Sequence, residues 1–595
     1  MSNDSGTEGQ VGRPGVAGVN GPEDDDLDWR AIDWHKVEDD LQRLRQRIFT
    51  ASRNGDLNKV RNLQKLMLRS RANALISVRR VTEINAGRKT AGVDGHVVVT
   101  APGKAMLADA VQRRAGPWKP KPVRRVYIPK VNGKRRPLGI PVIVDRVRQA
   151  QVVNALEPEW EARFEPKSYG FRPGRGCHDA IECIHNTGSG KSATRLWVLD
   201  ADLAAAFDRI SHSHLLAALG NFPAKGLIEG WLKAGAVEGG RFAATEEGTP
   251  QGGVVSPLLL NVALHGMEEA AGVQYYTAGV RAGWTVMGCP VVVRYADDLV
   301  AMCVSREQAE EVKARLAAWL TPRGLVFNED KTRIVHLEEG FDFLSFNVRR
   351  WQGKLIIKPS KAALQRHRDR LAAEMKALRG ANAAAVIARL NPIIRGWSAY
   401  HRKVVSSRAF ARMDKHVWTL TYKWATYSHS NKPKDWVVAQ YFGQFNKSRR
   451  DRWVFGDRNS GAYLRKHAWT RIVRHQIVPG TASPDDPDLT EFWAERRQRT
   501  TPLDGISLRL LHEQRGRCPR CGGLLLLADH EPQTPGGWEQ WLAVIRKAAR
   551  KHAIAAEPDH GTPDEAAALH LVHAHCRGRD DPRTPIPPSA LTASP

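Results

Sequence analysis

The most constraining stretch of this chain is Val291-Val292-Val293-Arg294-Tyr295-Ala296-Asp297-Asp298-Leu299-Val300, where two adjacent carboxylates interrupt apolar, β-branched runs. Two such runs around a short polar break predict a β-hairpin with the acids in its turn. Successive strand side chains point to opposite faces, so an Asp-Asp pair within a strand repels itself for no gain. A turn can aim both at one place, and carboxylate oxygens are the preferred ligands of magnesium. Leu196-Trp197-Val198-Leu199-Asp200-Ala201-Asp202-Leu203 reads as a second strand ending in acid, which brings Asp202 as a third ligand. Three carboxylates around two ions suit in-line displacement at phosphorus.

Charge narrows the partner. The 90 Lys and Arg against 63 Asp and Glu leave +27 over 595 residues, which favours a polyanion and a wide footprint. No apolar run approaches the roughly 20 residues that span a bilayer, so no membrane is expected. Seven scattered cysteines do not make a disulfide framework, and the acidic start at Glu23-Asp24-Asp25-Asp26 is unlike a signal peptide. A soluble protein of a reducing compartment, the cytoplasm, is expected.

Further segments follow in order: Tyr127-Ile128-Pro129-Lys130, Lys134-Arg135-Arg136-Pro137-Leu138-Gly139, Ser168-Tyr169-Gly170-Phe171-Arg172-Pro173-Gly174-Arg175-Gly176, Gly248-Thr249-Pro250-Gln251-Gly252-Gly253, Asn328-Glu329-Asp330-Lys331-Thr332 and Phe341-Asp342-Phe343-Leu344-Ser345-Phe346. With the Asp202 strand and the Tyr-Ala-Asp-Asp hairpin, they resemble group II intron-encoded reverse transcriptases. Asn391-Pro392-Ile393-Ile394-Arg395-Gly396-Trp397-Ser398-Ala399-Tyr400 resembles the maturase domain X, or thumb, of the same proteins. The resemblance implies a multidomain α/β right-hand polymerase, with fingers, a palm holding an antiparallel sheet, and a helical thumb. To these it adds a small α+β zinc-knuckle-like C-terminal domain.

The expected divisions are a disordered acidic tail (1–28), fingers and palm (29–355), and thumb with DNA-binding segment (356–480). A linker (481–507), an HNH-endonuclease-like domain (508–580) and a disordered tail (581–595) follow.

The implied function is an RNA-directed DNA polymerase that binds its intron RNA, assists splicing, and copies the intron into DNA at a target site. Two other readings stay open on sequence: a non-catalytic RNA-binding splicing factor, and a domesticated anti-phage reverse transcriptase. By resemblance, Asp202, Asp297 and Asp298 hold two magnesium ions, and Lys331 gives a proton to pyrophosphate. Leu203 offers a carbonyl and Phe207 lies under the sugar of a deoxynucleoside triphosphate, although plain core is another role for it. Gln251 lies near the templating base, and Lys134 and Arg136 meet the triphosphate unless they form a solvated charge run. Arg172, Arg175, Lys358, Arg366 and Arg474 are candidate nucleic-acid contacts. Core packing is the default for Trp397 and Tyr400, and Trp418, Trp424, Trp436 and Trp453 are expected to hold the helical domain together.

Two places depart from the family pattern: Ala204-Ala205-Ala206 stands where Lys-Gly-Phe is common, and Ser345 replaces a usual glycine. The C-terminal Cys518-Pro519-Arg520-Cys521 pair reads as a zinc knuckle, completed by Cys576 and either His573 or His575; free thiols are the alternative. Asp529-His530 matches the first catalytic histidine of HNH nucleases, but Cys576-Arg577 stands where Cys-His is expected. Arginine cannot ligate magnesium, so a nucleic-acid-binding remnant is expected rather than a working nuclease.

Overall fold

The computed structural model describes residues 27–499 except 114–117 and 130–134, and beyond them 509–510, 513–514, 518–520, 525, 532–550, 554–558, 569–573 and 576. The acidic tail to residue 26, the C-terminal tail, Lys134, Cys521, His530 and the side chain of His573 lie outside the described residues.

Residues 34–113 are mainly helical: α1 (Trp34–Arg53), α2 (Leu57–Arg69), α3 (Arg71–Arg79) and α4 (Ala101–Arg113). Caps mark the boundaries. The Asp56 carboxylate accepts from the Lys59 amide ahead of α2, and the Ser70 hydroxyl from the Asn73 amide ahead of α3. A ribbon of β1 (Val123–Pro129) and β2 (Arg135–Ile140) follows, then the long buried α5 (Ile143–Glu161) and α6 (Cys177–Gly188).

The palm strand β3 (Trp197–Asp202) leads into short helices α7 (Ala206–Arg209), α8 (His212–Ala218) and α9 (Lys225–Lys233). The hairpin β4 (Ala236–Glu238) and β5 (Arg241–Ala243) comes next, then α10 (Ser256–Ala263) and α11 (Met267–Ala270). The acidic hairpin is β6 (Val291–Tyr295) and β7 (Asp298–Cys303), followed by α12 (Arg306–Leu320) and β8 (Arg333–His336). These strands form an antiparallel sheet in the order β6-β7-β3-β8.

The uninterrupted apolar runs now have their reason. Leu299, Ala301 and Cys303 enter one core with α1, α2, α5 and α10, while Val300 and Met302 enter another with α6 and the strands beyond β8. A sheet covered on both faces needs apolar residues at every position, not at alternate ones.

The second core includes the sheet β11-β10-β9, built from β9 (Phe341–Phe343), β10 (Phe346–Trp351) and β11 (Lys354–Pro359). The thumb comprises α13 (Lys361–Ala377), α14 (Ala383–His401), α15 (Ser407–Ser428) and α16 (Lys434–Tyr441), with the small hairpin β12 (Phe442–Gly443) and β13 (Val454–Phe455). Trp397 and Tyr400 are buried, as is Trp424, but Trp418, Trp436 and Trp453 are 37%, 38% and 55% exposed. Three of the four tryptophans expected to hold this domain together therefore stand at its surface.

The segment 481–507 does not behave as a free linker where it is described. Arg45 of α1 forks onto Asp485, its Nε and Nη2 donating at 2.8 and 2.7 Å, and Asp485 is 1% exposed. Trp493, in α17 (Thr490–Arg499), is buried and its Nε1 donates to the Ser483 carbonyl. A Ser-Pro-Asp-Asp-Pro run has loop composition, but a buried guanidinium needs its carboxylate, and this one lies 440 residues away.

The C-terminal helix α18 (Pro535–Arg550) lies along α14 instead of standing apart. Trp538 joins the core containing Tyr400 and Val404, Glu539 accepts from Arg370 at 2.6 Å, and Gln533 Oε1 caps α6 by accepting from the Cys177 amide at 2.8 Å. At Gly396 a Cβ would come within 2.7 Å of the Glu539 amide nitrogen, so only glycine lets the two helices approach this closely. The hairpin of β14 (Ile554–Pro558) and β15 (Leu569–His573) completes the described residues of this unit.

Candidate active site

The acids meet at one end of the palm sheet. Tyr295 pairs with Asp298 across the hairpin, leaving only Ala296 and Asp297 in the turn; Asp298 in turn pairs with Asp202 across β7 and β3. Directly opposed residues of an antiparallel pair share a face, so Asp202 and Asp298 project together and Asp297 joins them from the turn. Asp298 is thus the first residue of a strand, not a turn residue.

The turn is tight, and two residues outside it hold it. Ala296 has a φ of +59°, a left-handed conformation unusual for a residue with a Cβ. Arg294, 2% exposed, donates from Nη1 to the Asn261 Oδ1 at 2.8 Å and to the Ala296 carbonyl at 3.3 Å. Asn261 also donates to the Gly170 carbonyl at 2.9 Å, and a Cβ on Gly170 would lie 2.3 Å from the Ala296 nitrogen. Burial pushes the Arg294 guanidinium down to about 10, partly offset by Glu165. Sequence reading passed over Arg294 and Asn261 as site residues, although a charge inside Val-Val-Val-Arg-Tyr was the available signal.

The electrostatics are unbalanced toward negative charge. Burial, then Asp297 and Asp202, pushes the Asp298 carboxyl up to about 8; Asp297 is also raised, chiefly by burial. Among the described residues Lys331 is the one ammonium in contact, its Nζ 2.7 Å from Asp202 Oδ2, and that hydrogen bond raises its own value. Asn328 Nδ2 donates to the same oxygen at 3.3 Å, and the Leu203 amide donates to the Asp297 carbonyl at 3.4 Å. Arg333 pairs with Asp200, two residues before Asp202.

Among the described residues no three ligands are already closed around one point, since Asp202 is shared between Lys331 and Asp298. The donor set nevertheless fits a hard divalent cation. It offers only oxygens, the described residues set one ammonium against three carboxylates, and burial together with two like charges raises one of those acids.

Other expected residues fall around this centre. Phe207 is half-buried in α7, edge-on to the exposed Phe171 at 6.1 Å. Gln251 accepts from the Gly139 amide at 2.6 Å, which docks its turn on the end of β2. Arg136 is exposed on β2 and close enough to Asp297 to lower its carboxyl. Lys358, Arg366 and Arg474 are exposed.

Arg172 and Arg175 are corrections. Arg172 is buried in a bidentate pair with Glu161 at 3.0 and 2.9 Å, and Arg175 donates to the carbonyls of Gly480 and Ala482 at 2.6 and 2.9 Å. Neither guanidinium has surface left for template phosphate; both fasten the loop that supports the hairpin. His475 is buried against Asp179 at 2.9 Å. Cys518 and Cys576 are buried in one small cluster with Leu510, Leu525, Leu571 and Val572. No helix among the described residues is long and apolar enough to cross a membrane.

Comparison with known proteins gives the same picture in three pieces. The reverse transcriptase (RNA-dependent DNA polymerase) model matches residues 128–348, the N-terminal domain of reverse transcriptase 29–111, and the group II intron maturase-specific domain 364–442. Protein YkfC of Escherichia coli (strain K12) is 36% identical over 306 residues, covering 46% of this chain and 80% of that protein. The group II intron-encoded protein LtrA of Lactococcus lactis subsp. cremoris is 30% identical over 290 residues, 39% of this chain and 48% of that protein. Maturase-like protein 1 of Euglena gracilis is 24% identical over 375 residues, 62% of this chain and 76% of that protein. The chain thus spans most of YkfC but about half the length of LtrA.

Proposed function

The chain belongs to the group II intron-encoded reverse transcriptases that carry a maturase domain, and from that premise we propose that it binds intron RNA and copies it into DNA at the end of β3 and β7. The observation that carries this reading is the register of those strands, which sets Asp202 opposite Asp298 with Asp297 beside them. These three carboxylates would hold magnesium, as two ions, and the metal would supply charge stabilisation for nucleotidyl transfer.

The chain's own residues do the rest. Arg294 and Asn261 fix the hairpin so that its acids face Asp202. Lys331 neutralises Asp202 until cations arrive, then holds a proton that can pass to departing pyrophosphate. Phe207, beside Phe171, bars a ribose 2′-hydroxyl, and the Gln251 turn lies against the templating base. Arg136 contributes charge toward the triphosphate. Lys358, Arg366 and Arg474 present cations to nucleic acid backbone, with Arg474 on the side of target DNA. A structural zinc on Cys518, Cys521, Cys576 and His573 belongs to the same reading, supported by the shared cluster of the two described cysteines; zinc content of purified Cys518→Ser/Cys576→Ser chain should fall to background.

Primer extension on an RNA template with deoxynucleoside triphosphates tests the reading. Asp297→Asn should abolish extension while leaving RNA binding within a few-fold. Extension by that variant at wild-type rate would refute the assignment.

A further inference from the structure

A cleft in the thumb takes no part in polymerisation as described above. It lies in the thumb between α15 and the β12–β13 hairpin and measures about 360 Å³, within the range of small-ligand pockets. Trp418, Thr421, Phe442, Trp453, Phe455 and Arg465 form its walls. Trp418 lies flat on Tyr422, with centroids 5.3 Å apart and planes 10° apart, and meets Trp453 at 6.3 Å and 80°. Both indoles are partly exposed, which a purely structural role does not require.

The charge around the cleft is one-sided. The β12–β13 loop carries Lys447, Arg449, Arg450 and Arg452, all exposed, and Lys415 is exposed on the facing helix. The neighbouring acids are already engaged. Asp414 accepts from the His467 and Ala468 amides and faces His467 Nδ1 at 2.9 Å. Asp451 accepts from Lys466 and from Trp469 Nε1. Arg465 is half-buried and has no carboxylate partner among the described residues; burial, and Arg449 after it, hold its guanidinium below the ordinary range. Planar aromatic walls beside a half-buried guanidinium with no carboxylate partner among the described residues match a flat π-system joined to an anion.

We propose that this cleft takes one unstacked nucleobase of a single-stranded polynucleotide, with the base against Trp418 and Trp453 and its adjoining phosphate on Arg465. Stacking supplies affinity without sequence preference, since every base has a π-face, while the loop cations track the backbone on either side. An apolar peptide would use the indoles but leave Arg465 and the loop cations uncompensated. The inference deepens the RNA-binding reading by giving it a local receptor, and its test does not depend on polymerisation.

The full chain carrying Asp297→Asn is saturated with a primer–template duplex, so that the polymerase cleft is filled. It is then photo-cross-linked to a short uridine RNA containing 4-thiouridine, or to the matching DNA containing 4-thiothymidine, and the cross-linked peptides are mapped. Cross-links should fall within residues 414–469, be reduced about ten-fold by Trp453→Ala, and be restored by Trp453→Phe. Trp436→Ala, an exposed tryptophan outside the cleft, should leave them unchanged. Arg465→Gln should lower the yield and weaken its dependence on salt. Labelling there by either oligonucleotide supports the site and tells RNA from DNA. Labelling confined to other regions, or equal loss in the Trp453 and Trp436 variants, overturns it. Because extension is read separately, failure here leaves the active-site assignment standing.

Discussion

Removing the Asp485 carboxylate tests whether residues 479–493 are clasped or free. Asp485→Ala strips Arg45 of a bidentate partner inside a site where the two side chains are 2% and 10% exposed, so solvent cannot substitute. Breaking a buried pair from one side costs roughly 3–5 kcal/mol. Glu157 remains on Arg45 Nη2 at 2.7 Å, which places the expected loss at the low end, about 3 kcal/mol, or roughly a 150-fold rise in the local opening constant. Native-state hydrogen exchange on amides 479–493 reads that constant directly. The double variant Arg45→Met/Asp485→Leu should recover much of the loss, since it leaves no buried charge uncompensated. An opening constant for Asp485→Ala within about three-fold of wild type would refute the claim that this fork fastens the segment to α1.

Three further outcomes follow from particular contacts. Burial pushes Glu268 up to about 7, so its folded value lies above its unfolded one and its contribution is full below about 4.5 and lost as pH rises through 7; wild type should lose about 2–3 kcal/mol of urea stability over that window and Glu268→Gln should not, equal slopes counting against the assignment. Ser345 has a φ of +72°, where glycine costs least, so Ser345→Gly should raise stability by roughly 0.5–1 kcal/mol, and a loss would show that its hydrogen bond from Arg366 matters more. Gly396→Ala must push α18 off α14, and limited proteolysis should release the C-terminal unit from the variant faster than from wild type; identical cleavage rates would contradict close packing.

Much of the candidate site was legible because its signals are local. Asp-Asp between β-branched runs specifies a hairpin, and a strand ending in Asp202 specifies where a partner acid sits; register then follows from burying apolar residues on both faces. What was misread shares one cause. Arg172 and Arg175 occupy a Gly- and Pro-rich loop that looks like a phosphate contact, yet Glu161 and the carbonyls of 480–482 consume them. Arg294 and Asn261 were overlooked because their importance lies in bonds to the hairpin backbone, which no spacing reveals.

The sequence alone determined that this chain has a carboxylate hairpin, a second acid-tipped strand, a strong surplus of cations and a family order of motifs, since hairpins and helix caps depend on neighbours a few residues apart. Tertiary structure decided which of those cations are free. A guanidinium reads the same in sequence whether solvent or a carboxylate hundreds of residues away completes it, and only packing distinguishes the two. The same holds for tryptophans: composition cannot tell the indole of Trp424, sealed in the thumb core, from those of Trp418 and Trp453, left partly exposed in the cleft that Arg465 lines.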